Sequence, residues 1–486
     1  MSIPDFSHVK SLRWRNHATL TPFRPIFLVR SPLINLTEEE VAMSHVSVPV
    51  VECPKLVRDF CDGFKDLLPV KGAYQSFVAL VSAAVFGVAN MSDIARYFLF
   101  APSVSQMCDF LSRKSLADQL NRRYRRRLLA VLRKIKSNPE RYQFAIDDTL
   151  VPHSGKSMWG VYTWYDHTNK SYVNGHKILV VGVVDKYRNV LIPVAWEILH
   201  RDLSKVTSNP DKQGPSRVHE TGWQVALRLL DQVLSSGFPK LPVSADSWFH
   251  GEDFCRGLDS REIPYVIEVK SNRIAETHGR KKIGKKLTSF FKDKIRQLIL
   301  FKNRSKFASE AVLTLRDSDA PVKIVAVANR RDLDDDVFAY YASNQLTWGA
   351  AKIWGYSRGR WAIEVQFREL KQFFALGEAA VRSQQSIETA VSISMIALTV
   401  IRLEQLADAD SQSNQYIRPI PAGVIVRDLK MQSLTRSILK LAIYPQKHTV
   451  QAFHVRYNRQ NLNAKPAEVR RQCQTHVQKG GPAKAA

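Results

Sequence analysis

Acidic residues are the scarce class in this 486-residue chain: 45 Asp and Glu stand against 71 Lys and Arg, giving a formal charge of +26 and a pI near 9.9. Such an imbalance favours a polyanionic partner, because each phosphate neutralised by Lys or Arg releases condensed counterions. Cysteine is scarce too. The five (Cys53, Cys61, Cys108, Cys255 and Cys473) are odd in number and far apart, with no Cys-x-x-Cys pair, which excludes a disulfide framework and a structural zinc site. Long apolar runs are missing as well. FVALVSAAVFGVA (77–89) and AVSISMIALTVI (390–401) fall short of the roughly 20 residues a membrane span needs and read as buried core helices. The opening MSIPDFSHVKSLRWRNH lacks the apolar segment of a secretory signal. A reduced, cytoplasmic protein without membrane contact is therefore expected.

What is present is enough for several folded units. The hydrophobic share of 45% is ordinary for a globular protein, and the length suggests about two to four domains. Residues 1–54 are irregular. From 55 to 140 the pattern is helical, and MSDIARYFLFAPSVSQMCDFLSR (91–113) gives a short helix, a break at Ala101-Pro102, and a second helix capped by Ser103 or Ser105. That is the outline of a helix-turn-helix. RRYRRRLLAVLRKIK (122–136) follows with eight cations and no acid. Like charges this dense repel unless phosphates neutralise them, so Arg122, Arg123, Arg125, Arg126 and Arg127 are candidate DNA contacts; a solvated helix face is the alternative. The whole of 55–140 is expected to be a helical DNA-binding domain.

The period then changes. FAIDDT (144–149) reads as a short strand ending in acids, while HKILVVGVV (176–184) and NVLIPVAWEIL (189–199) read as an antiparallel hairpin. A helix is expected over 219–237, a strand over 241–249, a helix over 251–262 and a strand over 264–270. Residues 280–306 hold eleven Lys and Arg against Asp293 alone, among them the candidate DNA contacts Lys281, Lys282, Lys285 and Lys286. Strand-like segments at 311–317, 322–329 and 337–343 make 271–350 a basic, mostly β insertion. A helix begins near 355, a helical region occupies 381–455, and the tail 456–486 carries seven cations and one Glu and is expected to be disordered or an accessory DNA-binding arm.

Three acids fall at telling places in this order. Asp147 lies on the first strand, Asp246 ends the fourth, and Glu364 lies on the helix after the insertion, separated by 99 and 118 positions (147 to 246 to 364). The order β-β-β-α-β-α-β, insertion, α matches a ribonuclease H-like α/β core spanning 141–270 and 351–380, in which acids on those three elements converge. Carboxylates suit Mg²⁺, and two such ions can activate an attacking oxygen and stabilise a leaving one in phosphodiester chemistry without a side-chain nucleophile. Any one of these acids alone is more often a cap or an ion-pair partner. Period-2 alternation turns either Asp147 or Asp148 inward; Asp147 is favoured, with Asp148 the alternative.

Taken together, AIDDT, VSADSWF and YSRGRWAIEVQFRELK (356–371) resemble the bacterial cut-and-paste DDE transposases of insertion sequences, in the branch whose last helix carries a Tyr-Arg-Glu-Lys signature. Arg360, Glu364 and Lys371 match it; the Asp147–Thr149 run with Pro152, Gly155 and Lys156 and the GHK at 175–177 are also similar. The resemblance covers about 140–380. It departs at one position, because Ser357 stands where the signature has tyrosine and Tyr356 lies one residue earlier. Positions 356, 360, 364 and 371 nonetheless share one helical face, so Tyr356 remains a candidate phosphate contact, whereas Glu369 points elsewhere and reads as a surface acid.

The resemblance implies a bacterial, nucleoid-associated enzyme. Asp147, Asp246 and Glu364 would bind two Mg²⁺ ions, with Mn²⁺ able to substitute. Water would free a 3′-OH at the element end, and that 3′-OH would attack the opposite strand, through a hairpin, or target DNA. Arg360 and Lys371 would grip phosphates. A flipped base would stack on Trp348 or Trp248, although a core role is the commoner one for tryptophan. His153, His176 and His250, near the acids in sequence, are supporting residues at most. The partners implied are double-stranded DNA, as terminal inverted repeats and target, and a second copy of the chain on paired ends. Two other readings fit the same residues: an inactive, transposase-derived DNA-binding repressor, and a standalone RNase H-fold nuclease.

Overall fold

A computed structural model describes residues 50–133, 139–153, 158–166, 169–200, 220–276, 284–292, 294, 296–301, 304–316, 318, 320–331, 337–407 and 420–443. Among the described residues five α-helices come first: α1 (Lys55–Cys61), α2 (Lys71–Val85), α3 (Met91–Tyr97), α4 (Val104–Leu111) and α5 (Leu116–Leu132). Then follow β1 (Tyr142–Pro152), β2 (Tyr162–Asp166), β3 (Ser171–Asp185), β4 (Val190–Leu199), α6 (Gly222–Ser235), β5 (Val243–Ala245), α7 (Glu252–Asp259) and β6 (Tyr265–Val269). The inserted segment contributes β7 (Ile274–Glu276), β8 (Gly284–Lys286), α8 (Leu287–Phe291), β9 (Gln297–Phe301), β10 (Arg304–Leu315), β11 (Pro321–Ala328) and β12 (Val337–Ser343). Three long helices close the described chain: α9 (Ala350–Phe373), α10 (Gln384–Ala407) and α11 (Ala422–Ile443).

Local chemistry sets these boundaries. Ser103 caps α4 through a reciprocal box with Gln106, and Thr221 caps α6 with Gln224 in the same way. β3 and β4 are Val-, Ile- and Leu-rich because both their faces are covered, so they read as nearly continuous apolar runs. The strands and helices expected over 144–270 are present. β1 runs further, to Pro152, and β2 was not legible, since YTWYD is only half-buried and carries no alternating apolar face.

The described strands join one mixed sheet in the order β2-β3-β1-β5-β6-β12-β11-β10-β7-β8, with β4 also paired to β3 and β9 to β10. β1 is antiparallel to β3 and parallel to β5, and β5 is parallel to β6. The inserted strands continue this sheet through an antiparallel pairing of β12 with β6. The insertion is therefore an extension of the central sheet.

α10 is apolar and long enough to cross a membrane by composition, yet most of it is buried inside the fold. It packs with α2, α5 and β4 in one large core. Tyr124 of α5 is fully buried there, with its hydroxyl 2.6 Å from both the Pro193 carbonyl and Thr399 Oγ1. The composition boundary near 140 thus marks a change of secondary structure, while the apolar core runs across it. Two smaller clusters hold the extended sheet, one under α8 and one against the start of α9.

Candidate active site

The site begins where the parallel pairing of β1 with β5 ends. The last paired residues of β1 and β5 are Ile146 and Ala245, and Ala245 pairs in turn with Ile267 of β6. The next residue on each strand is Asp147, Asp246 and Glu268. Three carboxylates therefore follow one another across neighbouring strands spaced roughly 4.8 Å apart. The carboxyl ends of parallel strands are where open α/β sheets place their ligands.

α9 supplies the fourth acid. The face carrying Tyr356, Arg360, Glu364 and Lys371 is turned toward β1. Gln143 Nε2 donates to the Tyr356 carbonyl (2.8 Å), Arg360 Nη1 donates to Asp147 Oδ2 (3.4 Å), and Lys371 Nζ donates to the Leu150 carbonyl (2.7 Å). Glycine at 359 permits this approach, since a Cβ there would stand 2.5 Å from Gln143 Oε1; Gly355 likewise admits Phe301 of β9, whose ring a Cβ would meet at 2.7 Å. Arg360 also bridges to Glu364 Oε1 at 2.8 Å, one helical turn on, and so joins the strand acid to the helix acid.

The electrostatics follow from this crowding. Burial first, then the negative charges of Asp246 and Asp148, push the Asp147 carboxyl up to about 8, against the pull of Arg360 and the Asp148 amide. Burial is also the main cause of the raised pKa of Glu268, which feels Arg360, Asp246 and Glu364. Burial works against the charge of Arg360, but the four acids hold its pKa above the ordinary value. As the side chains stand, no three His, Cys, Asp or Glu groups among the described residues close to coordination distance. The donor set, carboxylate oxygens only, suits Mg²⁺.

Residues 86–288 match the family model described as DDE superfamily endonuclease, and residues 215–400 match the Transposase DDE domain model. The middle of this chain is similar to DDE endonucleases and transposases. Asp147 and Asp246 fall in the first match, and Asp246 and Glu364 in the second. No curated protein matches the chain. Among solved structures it is similar to the piggyBac transposase, seen by cryo-EM in a synaptic complex with hairpin DNA, at 12% identity and a TM-score of 0.39, over 82% of this chain and 83% of that one.

The other expected site residues are dispersed. Asp148 turns away from Asp147 and pairs with Lys177 at 2.9 Å, while its amide donates to Asp147 Oδ1. Trp248 is 53% exposed beside Asp246, whose Oδ1 accepts the Trp248 amide, and Lys177 lies over its ring. Trp348 is half-buried and stacks on Tyr356 at 4.9 Å and 16°. Tyr356 requires correction as a phosphate contact: it is 2% exposed, held between Trp348 and the ammonium of Lys186, 3.4 Å above its ring. The first turn of that helix packs this ring inward. Glu369 is no surface acid either; it is buried and ion-paired with buried Arg402 of α10.

The arginine run of α5 also divides. Arg122 and Arg126 are exposed. Arg123 pairs with Asp66 at 2.8 Å, Arg127 reaches the Asp59 carbonyl, and Arg125 is buried, donating to Ser236 Oγ. Helical periodicity forces this split, since a 3.6-residue repeat cannot hold five near-consecutive arginines on one face. α4, the second helix of the expected helix-turn-helix, carries no Lys or Arg. Lys285 and Lys286 are exposed on β8, while Lys281 and Lys282 lie outside the described residues, as do Gly155, Lys156, the segment 1–49 and the tail 456–486. His153 and His176 contact each other at 2.8 Å, and His250 offers its carbonyl to Arg273.

Glu268, near the acids, escaped the sequence reading, and Lys177, noted there only within GHK, pairs with Asp148. A single acid inside the apolar strand YVIEV was the available signal for Glu268.

Proposed function

We propose that this protein is a DDE-type DNA transposase whose sheet β4-β3-β1-β5-β6 with α6, α7 and α9 is an RNase H-like catalytic core. The observation carrying the proposal is the succession of Asp147 and Asp246 just past the last parallel pair of β1 and β5, with Asp147 joined to Glu364 through Arg360. Asp147, Asp246 and Glu364 would hold Mg²⁺, or Mn²⁺ in its place. The bound ions supply activation of the attacking oxygen and stabilisation of the leaving one. Burial around Asp147 keeps water from screening the charges that do this work. Lys371, anchored on the Leu150 carbonyl at the edge of the site, keeps further donors free for a phosphate. The exposed indole of Trp248 offers a stacking face for an unpaired base beside Asp246.

The reaction proposed is hydrolysis at the ends of an insertion sequence, a hairpin route for the flanking cut, and joining of the 3′-OH ends to target DNA by two copies on paired ends. A cytoplasmic, nucleoid-associated bacterial location goes with it. The net charge of +26 supports a nucleic-acid partner. The test is incubation of the protein with the terminal repeats of its own element and Mg²⁺. End-specific nicks are expected. Binding without nicks would make it a repressor, and nicks without end specificity would make it a nuclease.

A further inference from the structure

Arg360 occupies the oxygens a metal would take. Its guanidinium contacts Asp147 Oδ2 at 3.4 Å and Glu364 Oε1 at 2.8 Å, and the Arg360 and Asp147 side chains are 17% and 18% exposed. A divalent cation on those carboxylates must displace it. An arginine cannot shed its charge, and leaving it buried without a counter-ion is costly, so it needs another carboxylate within reach. Asp246 would itself be engaged by metal, and Asp148 is held by Lys177. Glu268 remains. It is half-buried, it follows Ile267, the register partner of the Ala245 that precedes Asp246, its side chain has no hydrogen bond or ion pair among the described residues, and Arg360 is the cation that acts on it most.

We propose that Glu268 is the receiving carboxylate for Arg360: metal entry moves the guanidinium from Asp147 and Glu364 toward Glu268, making Glu268 a positioning residue that lowers the cost of metal binding. This rests on the metal-site reading above. Glu268 then acts on metal affinity through Arg360, without itself being a ligand.

Mn²⁺ binding to the DNA-free protein, followed by electron paramagnetic resonance, separates the possibilities. The Glu268→Gln variant should bind Mn²⁺ about tenfold more weakly than wild type. The double variant Glu268→Gln/Arg360→Gln should regain at least wild-type affinity, because the competing guanidinium is gone. Weakened binding that the second substitution does not rescue would make Glu268 a direct ligand and overturn the proposal. Unchanged binding in Glu268→Gln would overturn it while leaving the metal site intact. A wild-type protein that binds no Mn²⁺ would remove the metal-site reading itself.

Discussion

Gln143 of β1 donates to the carbonyl of Tyr356 at 2.8 Å and to Ser244 Oγ of β5 at 2.6 Å, so one buried amide ties two strands to α9. The close approach requires glycine at position 359, where a Cβ would meet the Gln143 side chain at 2.5–2.8 Å. Gly359→Ala should push α9 away from β1 and move Arg360 and Glu364 with it. A loss of cleavage of about tenfold or more is expected with DNA binding retained, because small displacements of reacting groups are expensive. Cleavage kinetics beside binding titrations check this; an unaltered rate would show that α9 is not positioned through Gln143.

Glu369 and Arg402 form a buried pair between α9 and α10. Glu369→Gln leaves a buried guanidinium without its counter-charge, which typically costs about 3–5 kcal/mol. Denaturant unfolding should register that loss. A change under about 1 kcal/mol, as for an exposed pair, would contradict the burial.

Tyr356 sits between Trp348 and Lys186. Tyr356→Phe, which keeps the stack and removes the hydroxyl, should leave affinity for DNA ends unchanged, whereas Tyr356→Ala should destabilise the fold by about 3–5 kcal/mol, as for other large aromatic truncations. A weakened salt dependence of binding in Tyr356→Phe would restore the phosphate contact.

The raised pKa of Asp147 makes the metal-free protein sensitive to alkali. With an ordinary carboxyl value of 3.8 and a folded value of about 8, the folded state holds the extra proton between those limits. Stability contributed by this group therefore falls as pH rises from about 4 to about 8, and is flat outside that window. In chelator, the Tm of wild type should drop relative to Asp147→Asn across that range. Parallel curves would contradict the assigned environment.

How much of this was legible follows from what periodicity can carry. The runs at 176–184 and 189–199 are apolar on both faces and announce buried strands, and the acids at 147 and 246 each follow a short buried stretch, although β1 continues past Asp147 to Pro152. The spacing of 356, 360, 364 and 371 gave their common face. Spacing does not say what that face meets, and here its first turn meets β1 and the Trp348 ring. Glu268 was hidden for a related reason: its position beside Asp246 is a matter of strand register, which no single segment encodes. The arginine run looked uniform because the neutralising Asp66 and the Asp59 carbonyl lie more than fifty residues away in sequence.

The most direct test of the central claim compares wild type with Glu364→Gln on DNA carrying the terminal repeats, measuring strand cleavage in Mg²⁺ and binding in chelator. Cleavage should disappear while binding changes less than about threefold, because a metal-holding carboxylate is lost and every phosphate contact remains. Equal loss of both, or cleavage that survives, would contradict the assignment of Glu364 to the chemistry.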